Sequence, residues 1–263
     1  MKIVTMSTLG TGRLVANLLA SCQILGIDSD VDLYCDRSFL PYAHNFRTKL
    51  GMRAKVHDQP LLDQPLLSPC CSRVTPANWG TYEFMPFARA KLELLVELSH
   101  PARFEPFLYL DADTVFLNRL PTEWPKFLAF QSDARDFSSL ESMAADSCMG
   151  CVYCPTPARS IWLLALDWMH GNAATWEPSP SVKYFDDQTA VNALLPTVHR
   201  MTATLDPALW LNGSRAFDCP QRPDVAPILV HANWRVGAKR KEAELRSRGW
   251  WFVSDESLAR CGL

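Results

Sequence analysis

The sequence predicts an α/β protein with a mainly parallel central sheet flanked by helices, and three observations carry that prediction. The chain opens with a strand, a turn of small residues, an apolar-periodic helix and a second strand. Phe104 to Leu110 is a nearly continuous apolar run, as a central strand buried on both faces requires. Strand-like and helix-like segments then keep alternating as far as residue 247.

Lys2 to Met6 reads as the first strand, Ser7 to Gly12 as the turn, and the stretch to about Leu25 as the helix, with Val31 to Cys35 as the second strand. Such a unit closes as a right-handed parallel crossover. Its turn leaves Ser7 and Thr8 at a strand's carboxyl end, the edge at which open α/β sheets take ligands. A helix over Tyr42 to Leu50 and a short strand near Ala54 to His57 follow. Residues 58–80 are Pro-rich and contain a tandem duplicate, Asp58-Gln-Pro-Leu-Leu62 repeated as Asp63-Gln-Pro-Leu-Leu67. That period is too short for a solenoid, and a loop so long is a lid, a binding loop or a disordered insert.

The helix from about Glu83 to Leu98, with Pro86 in its first turn, puts Phe84, Phe87, Ala88, Leu94, Leu95 and Leu98 on one face and Lys91 in its middle. That lysine either snorkels out of the face or meets a buried anion. Further strands are predicted at Leu128 to Gln131, Met149 to Cys154, Arg200 to Thr204 and Ile228 to His231, and helices at Ala158 to Met169, Asp187 to Leu195 and Ala238 to Ser247.

Of the 263 residues, 48% are apolar and 21% charged, enough for a substantial core, and no domain boundary stands out. The net charge of −2 gives no general attraction to nucleic acid, which is not expected as a partner. No apolar run reaches membrane-spanning length, and Leu14 to Leu25 is interrupted by Asn17, Ser21, Cys22 and Gln23, so no transmembrane segment is expected. Nine cysteines, an odd set without secretory context, suggest reduced thiols in a cytoplasmic protein. Cys148, Cys151 and Cys154 have a spacing that suits zinc or part of an iron–sulfur cluster, but the segment reads better as a buried strand.

The chemistry concentrates where the Phe104 to Leu110 run ends in Asp111-Ala112-Asp113. Two aspartates two residues apart at a strand's carboxyl end point roughly the same way. Their repulsion invites a divalent cation, and hard cations so held bridge a pyrophosphate. Asp186 and Asp187 open a helix whose apolar face is Ala190, Val191, Leu194 and Leu195. Asp186 suits an N-cap, whereas an inward-facing Asp187 has no such explanation.

On these segments the chain resembles nucleotide-diphospho-sugar transferases of the GT-A fold, a Rossmann-like architecture, and the retaining type in particular. The resemblance is carried by Lys91-Leu-Glu-Leu-Leu95 with Phe107-Leu-Tyr-Leu-Asp-Ala-Asp-Thr-Val-Phe-Leu117, by Phe185-Asp-Asp-Gln-Thr-Ala-Val-Asn192, and by His231-Ala-Asn-Trp-Arg-Val-Gly237 with Lys241. It implies a single domain over 1–263, with a nucleotide-binding half over about 1–117 and an acceptor-side half over about 118–263. It implies that Asp111, Ala112 and Asp113 meet the donor, that Asp111, Asp113 and His231 hold Mn²⁺ or Mg²⁺, and that Lys241 meets the diphosphate. Asn233 and Gly237 accompany that site, and Lys91 is a helper.

Asp187 or Gln188 is then expected to face the reacting sugar, and Ser7, Thr8 and Asp36 to lie near a nucleotide base, uracil by resemblance. The partner is thus a nucleotide-sugar donor, with an acceptor the sequence leaves unspecified. Where similar proteins often carry Asn or Asp with Gly, this chain has Cys148-Met149-Gly150. Two rivals remain. Asp111-Ala-Asp-Thr-Val resembles the nucleophile motif of haloacid-dehalogenase-type phosphatases, although that motif normally sits on the first strand of its domain. A catalytically silent glycan-binding module would use Trp168, Trp176, Trp210 and Trp234 for stacking.

Overall fold

The computed structural model describes residues 1–59, 85–134, 146–173, 186–220 and 224–263. The tandem duplicate beyond Gln59, Phe84, Trp176 and Phe185 lie outside the described residues. Seven strands form the central sheet: β1 (Lys2–Ser7), β2 (Val31–Cys35), β3 (Lys55–Asp58), β4 (Phe107–Asp111), β6 (Leu128–Ser132), β7 (Ser147–Cys154) and β8 (Thr202–Thr204). Their order is β3-β2-β1-β4-β7-β6-β8. All run parallel except β7, which is antiparallel to both β4 and β6. β4 starts at Phe107 rather than Phe104, consistent with Pro106, which has no N–H to give a ladder.

Alternation along β4 decides what each layer buries. Leu108 and Leu110 join the core beneath α1 (Gly12–Ile24) and α2 (Leu40–Leu50), with Ile3, Val15, Leu33 and Phe46. Phe107 and Tyr109 face the opposite layer of α3 (Met85–Leu98), α4 (Arg159–Ala173) and α5 (Asp187–Val198), with Val4, Phe130, Val152 and Val191. Asp111 continues the second series and therefore points toward α3 and α5. The cysteine run is a buried strand, as read. Cys151 enters the first core and Cys154 the second, so the three thiols share no face on which to hold a metal.

A second, three-stranded sheet was not legible in the sequence because two of its strands have only three and two residues. In it β10 (Leu229–His231) pairs antiparallel with β5 (Thr114–Phe116) and parallel with β9 (Trp210–Leu211). This pairing sets His231 opposite Thr114, next to Asp113. A short helix, α6 (Gly213–Phe217), follows β9, while α7 (Ala238–Ser247) and α8 (Asp255–Cys261) follow β10. Arg13 on α1 grips Glu242 on α7 through Nε and Nη2, one edge of its guanidinium, at 2.9 and 2.7 Å, a two-pronged bond that fixes α7 against α1. Asn45 and Lys49 on α2 donate to the last carbonyls of α8. Among the described residues, no helix is long and apolar enough to cross a membrane.

Trp162 on α4 is wholly buried, packs edge-on against Phe130 at 6.3 Å and donates its indole N–H to Ser99 Oγ at 2.9 Å. Trp162→Ala removes that packing and the indole donor to Ser99, whose hydroxyl keeps only the Cys154 thiol, so it should destabilise the protein by about 3–5 kcal/mol. Urea unfolding checks this as a lowered midpoint with an unchanged slope.

Candidate functional site

The carboxyl edge of the sheet between β4 and β7 gathers most of the predicted residues. Asp111 Oδ1 accepts hydrogen bonds from Lys91 Nζ and from Tyr109 Oη, both at 3.1 Å. Tyr109 reaches it because residues two apart on a strand share a face. Lys91 comes from α3 beneath, only 2% exposed, with its ammonium 5.1 Å from the Tyr109 ring centre and 2.8 Å from Asp187 Oδ2. Lys91 therefore meets buried anions and does not snorkel. Asp186 caps α5 by accepting the Thr189 N–H at 2.7 Å, which leaves Asp187 free to turn inward.

Asp113 lies in the turn between β4 and β5. Its Oδ2 takes Lys241 Nζ at 2.5 Å, its Oδ1 is 3.3 Å from His231 Nε2, and its carbonyl accepts the Ala232 N–H. Ala112 is buried between the two aspartates. One oxygen each of Asp111 and Asp113 and one nitrogen of His231 lie within 4.8 Å of one another, a donor set that fits a divalent cation. A glycine keeps this space open. Gly150 stands on β7 one step beyond the Leu110–Cys151 pair, and a Cβ there would lie 2.0 Å from His231 Cε1 and 2.7 Å from Asp111 Oδ2.

Lys241 sits in the first turn of α7, whose N-cap Gly237 has φ 87° and ψ 140°, a conformation open to glycine almost alone. Lys239 and Arg240 share that turn, which joins backbone N–H groups to positive charge, a combination suited to an anion. Ser7 and Thr8 stand at the carboxyl end of β1, two strands from β7 and beside β4, where Met6 pairs with Asp111. The Ser7 hydroxyl is wholly buried and occupied by Thr11 Oγ1 at 2.9 Å, while Thr8 is half-buried. Asp36 is buried and caps the turn into α2 through the Phe39 N–H.

Four contributors escaped sequence reasoning. Asp133, just beyond β6, accepts from Gln188 Nε2 at 2.9 Å, Asn233 Nδ2 at 2.6 Å and Trp234 Nε1 at 2.9 Å. It ties the start of α5 to the segment after β10. Its signal was an acid at a strand's end, weaker than that of Asp111 because Gln131 and Ser132 separate it from the apolar residues of the strand. Gln131 bonds His231, Tyr109 bonds Asp111 and Gly150 leaves room for both. Asn233, predicted near the donor, is spent on structure, since its Oδ1 accepts the Gly213 N–H. Of the tryptophans proposed for stacking, Trp210 is buried against Trp124, and Trp234 is partly exposed beside the site.

Charge balance explains the pairings. Burial disfavours an ionised Lys91, but Asp111 and Asp187 outweigh it and raise its pKa well above the ordinary value. Burial pushes Asp187 up, and Lys91 only partly offsets that. Burial likewise opposes ionisation of Asp113, yet the Lys241 ammonium prevails and holds it well below the usual carboxylate range. Asp133 is pushed up by burial despite the hydrogen bonds it accepts.

No protein-family model and no curated protein sequence matches the chain. Solved structures do match. The galactosyltransferase LgtC, solved with donor and acceptor sugar analogues, superimposes with a TM-score of 0.57 at 14% identity over 99% of this chain and 100% of its own. Mouse xyloside xylosyltransferase 1 gives 0.54 at 13% over 88% and 97%. The glycosyltransferase GlyE of Streptococcus pneumoniae TIGR4 gives 0.51 at 13% over 97% and 66%. At such identities the likeness establishes the fold, which is that of GT-A glycosyltransferases.

Lys91→Met strips the cation from a buried carboxylate and should destabilise the protein by about 3–5 kcal/mol. The sign of its pH dependence follows from Asp187. With its folded pKa raised further above the unfolded value, stability is fully present below the unfolded pKa and lost as pH rises through the folded one. The deficit measured by denaturation should therefore be larger at pH 8 than at pH 5, and Lys91→Met with Asp187→Leu should recover most of it.

Proposed function

We propose that the protein is a glycosyltransferase that moves a sugar from a UDP-linked donor to an acceptor hydroxyl, dependent on Mn²⁺ or Mg²⁺ and with the anomeric configuration retained. The observation that carries this reading is the convergence of Asp111, Asp113 and His231 beside Lys241 in the first turn of α7. A site for a divalent cation then adjoins one for phosphate. An imidazole among carboxylates suits Mn²⁺ better than Mg²⁺, which prefers oxygen. When bound, the cation supplies charge neutralisation on the departing diphosphate. A phosphatase reading is less well supported, because β4 follows three earlier strands of its sheet, whereas the nucleophile motif of such phosphatases normally sits on the first.

Lys241 and the α7 N-terminus bind the diphosphate, and Thr8 with its neighbour Ser7 and Asp36 borders the nucleoside. Gly237 and Asn233 shape the segment between them. Asp187 is fixed on Lys91 and only 2% exposed, which suits a positioning role better than nucleophilic attack. Gln188, half-buried and held by Asp133, faces the sugar. Retention then proceeds on one face. The bond from the anomeric carbon to the phosphate oxygen breaks, the acceptor oxygen forms its bond from the same side, and its proton passes to the leaving phosphate.

A thermal-shift panel of nucleotide sugars with Mn²⁺ identifies the donor, since a ligand at 100 times its Kd adds about 2.7 kcal/mol of stability. Turnover should vanish in excess EDTA and return with Mn²⁺; full activity in EDTA would sink the metal reading. Asp113→Asn should lower kcat/KM by about two to three orders of magnitude, as expected for losing about 3–4 kcal/mol of transition-state stabilisation. NMR of the first-formed product decides stereochemistry, an inverted linkage recasting Asp187 as a general base. Asp187→Ala should leave a measurable residue of turnover, where loss of a true nucleophile would abolish it.

A further inference from the structure

His231 has its two ring nitrogens in different surroundings. Nε2 faces Asp113 Oδ1 at 3.3 Å and Asp111 Oδ2 at 3.9 Å, whereas Nδ1 lies 3.0 Å from Gln131 Oε1 and 3.5 Å from Cys148 Sγ. A neutral imidazole carries one proton, and only the nitrogen without it can ligate a metal. The tautomer therefore decides whether this corner accepts a cation.

Gln131 is wholly buried on a strand, where an unpaired amide is costly. Its Nε2 donates to the Trp210 carbonyl at 3.2 Å, which turns Oε1 toward His231. A carbonyl oxygen only accepts, so Nδ1 must donate to it. The backbone also aims this side chain. The β6–β7 ladder slips between Phe130 and Gln131, moving the partner from Val152 to Cys148, and such bulges redirect the residue at which they occur. Cys148 presses the other way. Burial keeps it a thiol, and an S–H donated to an unprotonated Nδ1 would place the proton on Nε2.

We infer that Gln131 is a positioning residue that locks His231 with its proton on Nδ1 and so keeps Nε2 available to a divalent cation. The inference rests on the proposed metal site. Trp210, read from the sequence as a possible sugar-stacking residue, contributes through its backbone carbonyl, and Gln131 acts through His231 without touching substrate.

The test needs no turnover. Mn²⁺ is titrated into the metal-free protein, wild type and variants, and free ion is read by EPR, while two-bond ¹H–¹⁵N spectra of the metal-free protein report which ring nitrogen of His231 is protonated. Gln131→Met should weaken Mn²⁺ binding about 10- to 100-fold, the range typical of losing a residue that orients a metal ligand. Gln131→Glu, which keeps an acceptor oxygen, should retain most of the affinity, and adding Cys148→Ala to Gln131→Met should restore part of it. Wild type that binds Mn²⁺ while Gln131→Met binds equally well would overturn the role of Gln131 and leave the metal reading standing. Wild type that fails to bind Mn²⁺ would overturn the metal reading itself. A His231 protonated on Nε2 but not on Nδ1 in the metal-free wild type overturns the inference even if Gln131→Met does not fold.

Discussion

Three carboxylates crowd one buried corner, and the repulsion among them is the constraint that the surrounding structure answers. At about 4 Å two like charges near a protein surface repel by about 4 kcal/mol. Asp111, Asp113 and Asp187 meet this with two ammonium groups delivered from opposite sides, Lys91 from the helix below and Lys241 from the helix that follows β10. Each lysine dictates the placement of its helix. α3 must pass under β4 for Lys91 to reach Asp111. α7 must start beside the turn after β4, and the Arg13–Glu242 pair holds it there.

The one reversed strand makes the corner asymmetric. Because β7 runs against β4, the beginning of β7 lies beside the end of β4, and Gly150 comes to stand under Asp111 and His231. A parallel neighbour would instead have brought another strand's carboxyl end and its loop to that position. The slip in the β6–β7 ladder belongs to the same arrangement, since it lets Gln131 and Cys148 stand together around His231. The small sheet brings His231 to the two aspartates by pairing β10 with β5, so the histidine and Asp113 are fixed by one set of backbone hydrogen bonds.

Between β10 and α7 the chain turns sharply, and the strain falls on Trp234, whose φ of 61° is unusual for so large a residue. A conformation of this kind costs about 1–3 kcal/mol and persists only where neighbours determine it. Here they do. Asn233 accepts from Gly213, the Trp234 indole donates to Asp133, and Arg235 is gripped by Asp218 and Glu244. Asp133 at the centre of these bonds also holds Gln188, so the start of α5 and the segment that follows β10 are joined through a single buried carboxylate.

Local pattern was enough to determine the class of the fold, the long helices, the strand carrying Asp111 and the existence of an acid-rich sheet edge, because periodicity and a strand's abrupt polar end are properties of neighbouring residues. It also singled out Lys91 and Asp187 as charges on apolar faces, though it left open that they answer each other, 96 positions apart. What only tertiary structure decided is pairing over long separations. The direction of β7, the small sheet built from strands of two and three residues, and the meeting of Gln131 with His231 depend on backbone ladders and on a ladder slip, neither of which a stretch of sequence displays. Asp133 shows where the boundary falls. Its position at a strand end was legible, but its task of joining α5 to the loop after β10 arises from three donors that the chain brings together only once it is folded.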